Sequence, residues 1–199
     1  MGNKHVKSAA ESNGSSNSHE QQPPSSSSPE LVNGVEPQPQ LTEQQVLVLE
    51  ETWKELESNI SKVGVITFIS LFETHPDVQE TFLPFSGMEL EELKQSKQLK
   101  AHALRVMQSV QKAIARIHEP EKLEALLRDL GQKHYFYGAK PNYVDLIGPQ
   151  FIQAIRPSLE EKWTEELQEA WLQLFRYMSC IMKSAMEQER ITSGVAPTN

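Results

Sequence analysis

The sequence predicts an all-α domain set between two polar tails, and three observations lead there. From residue 41 onward, apolar side chains recur at steps of three and four, the period of a helix face. Residues that start and stop helices punctuate this pattern. No stretch alternates apolar and polar residues between turn signals, as a half-buried strand would.

The elements follow in order. Thr42 and Gln45 have the spacing of a capping box ahead of Val46, Leu49, Trp53 and Leu56, so an amphipathic first helix opens the domain. A second is expected from about Asn59 to Glu73, apolar nearly all round with Val63, Ile66, Phe68, Ile69 and Phe72, and hence deeply buried. Gly64 inside it costs about 1 kcal/mol against alanine, which a closely crossing helix would explain. Pro76 ends this helix and starts a short one, and Phe82 and Phe85 follow in a proline-interrupted loop. A long third helix is expected from about Leu90 to His118. The fourth carries Leu123, Leu127, Leu130 and His134 on one stripe, with Gly138 as terminator and Pro141 beyond it. A fifth carries Val144, Ile147, Phe151, Ile152 and Ile155. The last starts near Thr164 and carries Leu167, Trp171, Leu174, Phe175, Met178 and Ile181.

Residues 1–39 are rich in Ser, Asn, Gln, Pro and Glu, with few apolar groups to offset the entropy of ordering, so a disordered tail is expected there. Residues 191–199 read the same way, leaving 40–190 as the folded domain. The net charge of −8 argues against a nucleic-acid partner, which calls for clustered Lys and Arg. The single cysteine, Cys180, allows no internal disulfide and fits a reducing, cytoplasmic setting. No apolar run is long enough to span a bilayer, and the N-terminus lacks the apolar core of a secretory signal.

Metalloprotease, phosphate-loop and nucleophile-elbow motifs are missing. The histidines are more informative. His5 and His19 lie in the tail, and His75 and His118 at element ends. His102 and His134 alone sit within apolar helical stripes; His102 shares a face with Leu99, Val106 and Val110. A core histidine satisfied by a hydrogen bond is the ordinary explanation for either one. Two on separate helices, both pointing inward, suit a metal, because neutral imidazole is the commonest metal ligand. A bare zinc ion would need further ligands that the inward faces do not offer. Haem iron brings its own equatorial ligands and needs only one or two axial histidines. Its flat apolar ring would suit walls of Phe, Val, Leu and Met.

The ordered set of proline, phenylalanine, histidine and histidine, in "LFETHPDVQETFLPF", "AHALRV" and "LGQKH", resembles the globins over about residues 41–188. Within that family "LFETHP", "LKAHALRV" and "KHYFYGAKP" are most similar to globin X, with neuroglobin next. The resemblance implies an all-α globin fold of about eight helices in a three-over-three sandwich around haem b (iron protoporphyrin IX). It implies that His134 is the proximal iron ligand and His102 the distal histidine. Phe68, Phe82, Phe85, Val106, Val144 and Phe175 are then cofactor-binding residues. Phe82 would pack flat on the porphyrin, Val106 would lie over the iron, and Gly64 would mark a helix crossing. The Leu130 carbonyl, four residues before His134, is in reach of its second ring nitrogen and would set the tautomer. Arg105 and Lys140 are candidates for the haem propionates.

The sequence permits His102 either to hydrogen-bond a gas or to bind iron itself; the resemblance implies the second. A reversible binder of dioxygen, carbon monoxide, nitric oxide or nitrite follows, served by a cellular reductase. Electron transfer, nitrite or nitric-oxide chemistry, or redox sensing fits such an iron site at least as well as oxygen transport or storage. The competing expectation is a haem-free helical interaction module. "MGNKHVKS" carries Gly2, the acceptor of N-myristoylation, but Val6 stands where Ser or Thr is usual. Globin X proteins commonly start Met-Gly-Cys, and Asn3 here removes the second acylation site. One chain alone would give marginal, reversible contact with the cytoplasmic face of the plasma membrane.

Overall fold

In the computed structural model, residues 39–194 are described, and every regular element among them is a helix. They are α1 (Glu43–Leu56), α2 (Ile60–Thr74), α3 (Pro76–Thr81), α4 (Leu90–Gln95), α5 (Lys97–Ile114), α6 (Pro120–Phe136), α7 (Ile147–Ile155) and α8 (Glu165–Thr192). The expected N-terminal tail and Gly2 lie outside the described residues, apart from Pro39, as do residues 195–199. No described helix is long and apolar enough to cross a membrane.

Local chemistry sets the helix ends. The Gln45 amide donates to Thr42 Oγ1 at 3.2 Å while the Thr42 amide donates to Gln45 Oε1 at 2.9 Å, so the capping box of α1 is closed in both directions. Thr164 caps α8 by accepting the Leu167 amide at 3.1 Å. Pro76 and Pro120 occupy first-turn positions of α3 and α6, where a missing N–H costs nothing. Gly138 takes φ of +76° just past α6, a left-handed conformation that a side chain disfavours.

Three expectations need correction. The long third helix is two helices, α4 and α5, broken at Ser96. Ser96 adopts extended backbone at φ −61° and ψ 121°, and its hydroxyl accepts the Leu99 amide at 3.2 Å, so it caps α5 rather than continuing α4. The same helix ends at Ile114, four residues early, where the amides of Arg116 and Ile117 turn back to the third carbonyl before them. Val144 lies in a 3-10 segment, Pro141–Leu146, ahead of α7 and not in it. At the other end α8 runs to Thr192, two residues into the segment expected to be tail.

The apolar stripes close into two clusters. The larger lies among α1, α5, α6, α7 and α8 and holds Leu49, Trp53, Leu127, Phe151, Trp171 and Leu174. At its centre the Trp171 indole N–H donates to Thr52 Oγ1 at 3.1 Å. The smaller gathers Phe68, Phe72, Val78, Phe85, Leu99 and Ala103 from α2, α3, α5 and the loop between. Val106 and Ile147 pack against both.

Three glycines mark where helices pack closely, two of them against a facing backbone and one against a side chain. A Cβ on Gly64 would lie 3.0 Å from the Ala103 carbonyl oxygen, so α2 rides directly on α5, as the mid-helix glycine suggested. Gly131 brings α6 onto α8 at Met182, and Gly148 brings α7 onto Phe175 of α8. The two histidine helices are thus fastened elsewhere, α5 on α2 and α6 on α8, and touch each other far less.

Candidate haem-binding site

His102 projects from α5 into a cage of aromatic rings. Its imidazole centroid lies 4.9 Å from Phe68, 5.5 Å from Phe82 and 6.5 Å from Phe85, all in edge-on arrangements. Phe82 and Phe85 lie nearly parallel to each other at 5.9 Å. Phe68 and Phe85 are buried and Phe82 is half-buried. The imidazole makes no hydrogen bond among the described residues. The ring is half-buried and its nitrogens are not sealed from solvent, so no protein group, only solvent or a ligand, can satisfy them.

Burial, first, and then the charges of Arg105 and His134 push the His102 pKa down from 6.5 to about 4. At neutral pH the ring is neutral and carries a free nitrogen lone pair, the form in which imidazole binds metal.

His134 is half-buried on α6 and is close enough to His102 to influence its charge. Its Nδ1 lies 2.8 Å from the Leu130 carbonyl oxygen. A carbonyl only accepts, so Nδ1 carries the proton and the lone pair resides on Nε2. That bond fixes the tautomer and orientation, as the four-residue spacing predicts. In its neutral form each histidine thus offers one nitrogen lone pair from a helix fastened independently of the other. No group of three or more His, Cys, Asp or Glu among the described residues could hold a bare metal ion. Two histidines with an apolar aromatic wall fit a metal that brings its own equatorial ligands, which is the donor chemistry of haem.

The remaining candidates divide. Val106, one turn beyond His102, is half-buried and bridges the two clusters. Arg105 is exposed, and its charge opposes protonation of His102. Lys140 is engaged, with its Nζ 3.3 Å from the Tyr143 hydroxyl. Val144 is half-buried, and its carbonyl accepts the Ser179 hydroxyl at 3.2 Å. Phe175 is buried in the larger cluster, 5.0 Å from Phe151, and is not among the rings around His102.

Two contributors were missed by sequence reasoning. Gln79, buried in α3, donates from Nε2 to the carbonyls of Phe85 and Met88, both at 2.8 Å, and so shapes the loop that presents Phe82 and Phe85. Gly131 sets the depth of α6, three residues before His134. A glycine in the middle of the fourth stripe was the available signal for the second. Nothing local marks the first.

The globin family model matches residues 66–182 of this chain. The chain belongs to the globin family. It is 31% identical over 140 residues to cytoglobin-2 of Danio rerio, covering 69% of this chain and 78% of that protein. Neuroglobin of Tetraodon nigroviridis is 28% identical over 125 residues, 62% of this globin and 79% of its relative. Anaerobic nitrite reductase HBII of Casuarina glauca is 24% identical over 151 residues, 73% and 92% of the two chains. The crystal structure of a hexacoordinated haem protein from an anhydrobiotic tardigrade superimposes with a TM-score of 0.70 at 19% identity, over 77% of this chain and 99% of that one. The all-α globin fold expected from the sequence is the fold this chain has.

Proposed function

We propose that this globin binds haem b between His134 and His102 and, once His102 withdraws, a small gas or anion such as dioxygen, carbon monoxide, nitric oxide or nitrite. The observation that carries this reading is the pair of unprotonated imidazole nitrogens on separately fastened helices, one lacking any hydrogen-bond partner among the described residues. Haem supplies the redox-active iron. The chain holds it from the proximal side through His134, whose orientation the Leu130 carbonyl sets. Phe68, Phe82 and Phe85 wall the distal side with apolar rings and offer the His102 ring no hydrogen-bond partner.

His102 would hold the iron as a second histidine ligand. The "LKAHALRV" and "KHYFYGAKP" segments favour a place near globin X, and the resemblance to globin X and neuroglobin supports this coordination. External affinity is then reduced by the fraction of open state. That restraint suits electron transfer from a cellular reductase, nitrite or nitric-oxide chemistry, or signalling better than bulk oxygen storage. A cytoplasmic setting, with reversible membrane contact through Gly2, belongs to the same proposal. Mass measurement of the N-terminal peptide from eukaryotic cells tests the acylation.

Absorbance tests the central reading. Recombinant protein should be red, with a Soret band and a low-spin ferrous spectrum. His134→Ala should lose most haem. His102→Ala should retain haem and turn high-spin in the ferrous state. A folded, colourless protein that ignores added haemin returns the helical interaction module as the explanation. An unchanged spectrum in His102→Ala rules out coordination by His102.

A further inference from the structure

The 3-10 segment Pro141–Leu146 follows the helix of His134 and is anchored on two sides. On one side α8 holds it, through Ser179 to the Val144 carbonyl and Lys183 to Asp145 at 2.7 Å. On the other side Tyr143 reaches α3. Its hydroxyl donates to Asp77 Oδ2 at 2.9 Å, joining residues 66 apart in sequence. The Lys140 ammonium donates to the same hydroxyl at 3.3 Å and stands 5.2 Å from the ring centroid. The ring is half-buried against the smaller apolar cluster, the one that holds Phe68 and Phe85 and against which Phe82 packs.

One side chain therefore ties the segment after the His134 helix to the short helix, α3, that leads into Phe82. Both tied segments border the apolar cluster that surrounds His102. We propose that Tyr143 is a positioning residue that latches the 3-10 segment to α3 through Asp77 and slows release of the cofactor. This rests on the haem reading above.

The test is the rate at which the haem-loaded full-length protein gives up haem to an excess of a high-affinity apoglobin. A net hydrogen bond of ordinary strength corresponds to about a two- to tenfold change in an equilibrium or rate. Tyr143→Phe should therefore release haem about two- to tenfold faster with its Soret position unmoved. Asp77→Ala should match it, and the double variant should add nothing further. Asp77→Asn, whose amide oxygen still accepts, should stay near wild type. The latch is overturned if Tyr143→Phe leaves the release rate unchanged, or if the two single effects add. It is also overturned if the haem-free variant loses as much stability as haem retention, which would make the bond part of the general scaffold. Wild-type protein that takes up no haemin overturns the haem reading itself, and the latch with it.

Discussion

A Cβ on Gly131 would stand 2.4 Å from the carbonyl oxygen of Met182 and 2.9 Å from its Cα, so α6 and α8 meet backbone against backbone. Neither atom belongs to a side chain that could swing away. Gly131→Ala gains about 1 kcal/mol of helix propensity, and that gain is outweighed. Relief requires α6 to move off α8, and overpacking of this kind costs about 1–3 kcal/mol or more. His134 is carried on the same helix one turn later. The variant should melt at lower temperature and release haem faster, both followed by thermal scans of the Soret band. Gly64→Ala should be milder, because one of its close neighbours at 3.0 Å is the flexible Met107 side chain.

How much of this was legible follows from how local each cause is. The caps at Thr42 and Thr164 and the stops at Pro76 and Gly138 act within a few residues, and the sequence showed them. A histidine in an apolar stripe is likewise a local anomaly, so His102 and His134 stood out before any contact was known. The break at Ser96 was hidden, because no glycine or proline marks it and a serine reads equally well as part of a polar helix face. Gln79, Tyr143 and the approach of Gly131 to Met182 depend on partners distant in sequence or in a folded loop. Phe175 shows the complementary limit. Its apolar register was plain, but the cluster it joins is chosen by the crossing of α7 on α8 at Gly148.

Gln79 should prove more costly to replace than its size suggests. Gln79→Met keeps the volume and removes both donors, leaving the carbonyls of Phe85 and Met88 without this partner. The Phe85 carbonyl still accepts the Met88 amide at 3.2 Å, so the Met88 carbonyl carries most of the loss. Urea unfolding should show a loss of about 1–3 kcal/mol. Hydrogen exchange should rise first at residues 82–88, because the lost bonds belong to that loop. A uniform rise across all helices would argue against this local role.

The Thr52–Trp171 bond makes a separable test in the larger cluster. Thr52 also donates to the Val48 carbonyl at 2.7 Å, so its hydroxyl is used in both directions. Thr52→Val preserves shape and leaves the buried indole N–H unpaired, at about 1–3 kcal/mol. Thr52→Ser keeps the hydroxyl and should recover much of that loss. Chemical denaturation of the haem-free protein measures both, and the iron-bound spectra should be unaffected, since neither residue touches His102 or His134.

Acid should destabilise the haem-free protein through His102. Its pKa falls from 6.5 to about 4 on folding, chiefly by burial. The charged groups facing it are Arg105 on its own helix and His134 from α6, both of which oppose its protonation. Between these two values the unfolded chain carries a proton that the folded chain excludes. Stability therefore rises with pH across that window, is undiminished above it, and is lost as pH falls from about 6.5 toward 4. The full shift corresponds to about 3 kcal/mol, an order-of-magnitude figure. His102→Gln keeps a polar side chain of similar size but cannot titrate, so its unfolding midpoint should depend less steeply on pH in that interval. Parallel curves for wild type and His102→Gln would show that the acid sensitivity arises elsewhere.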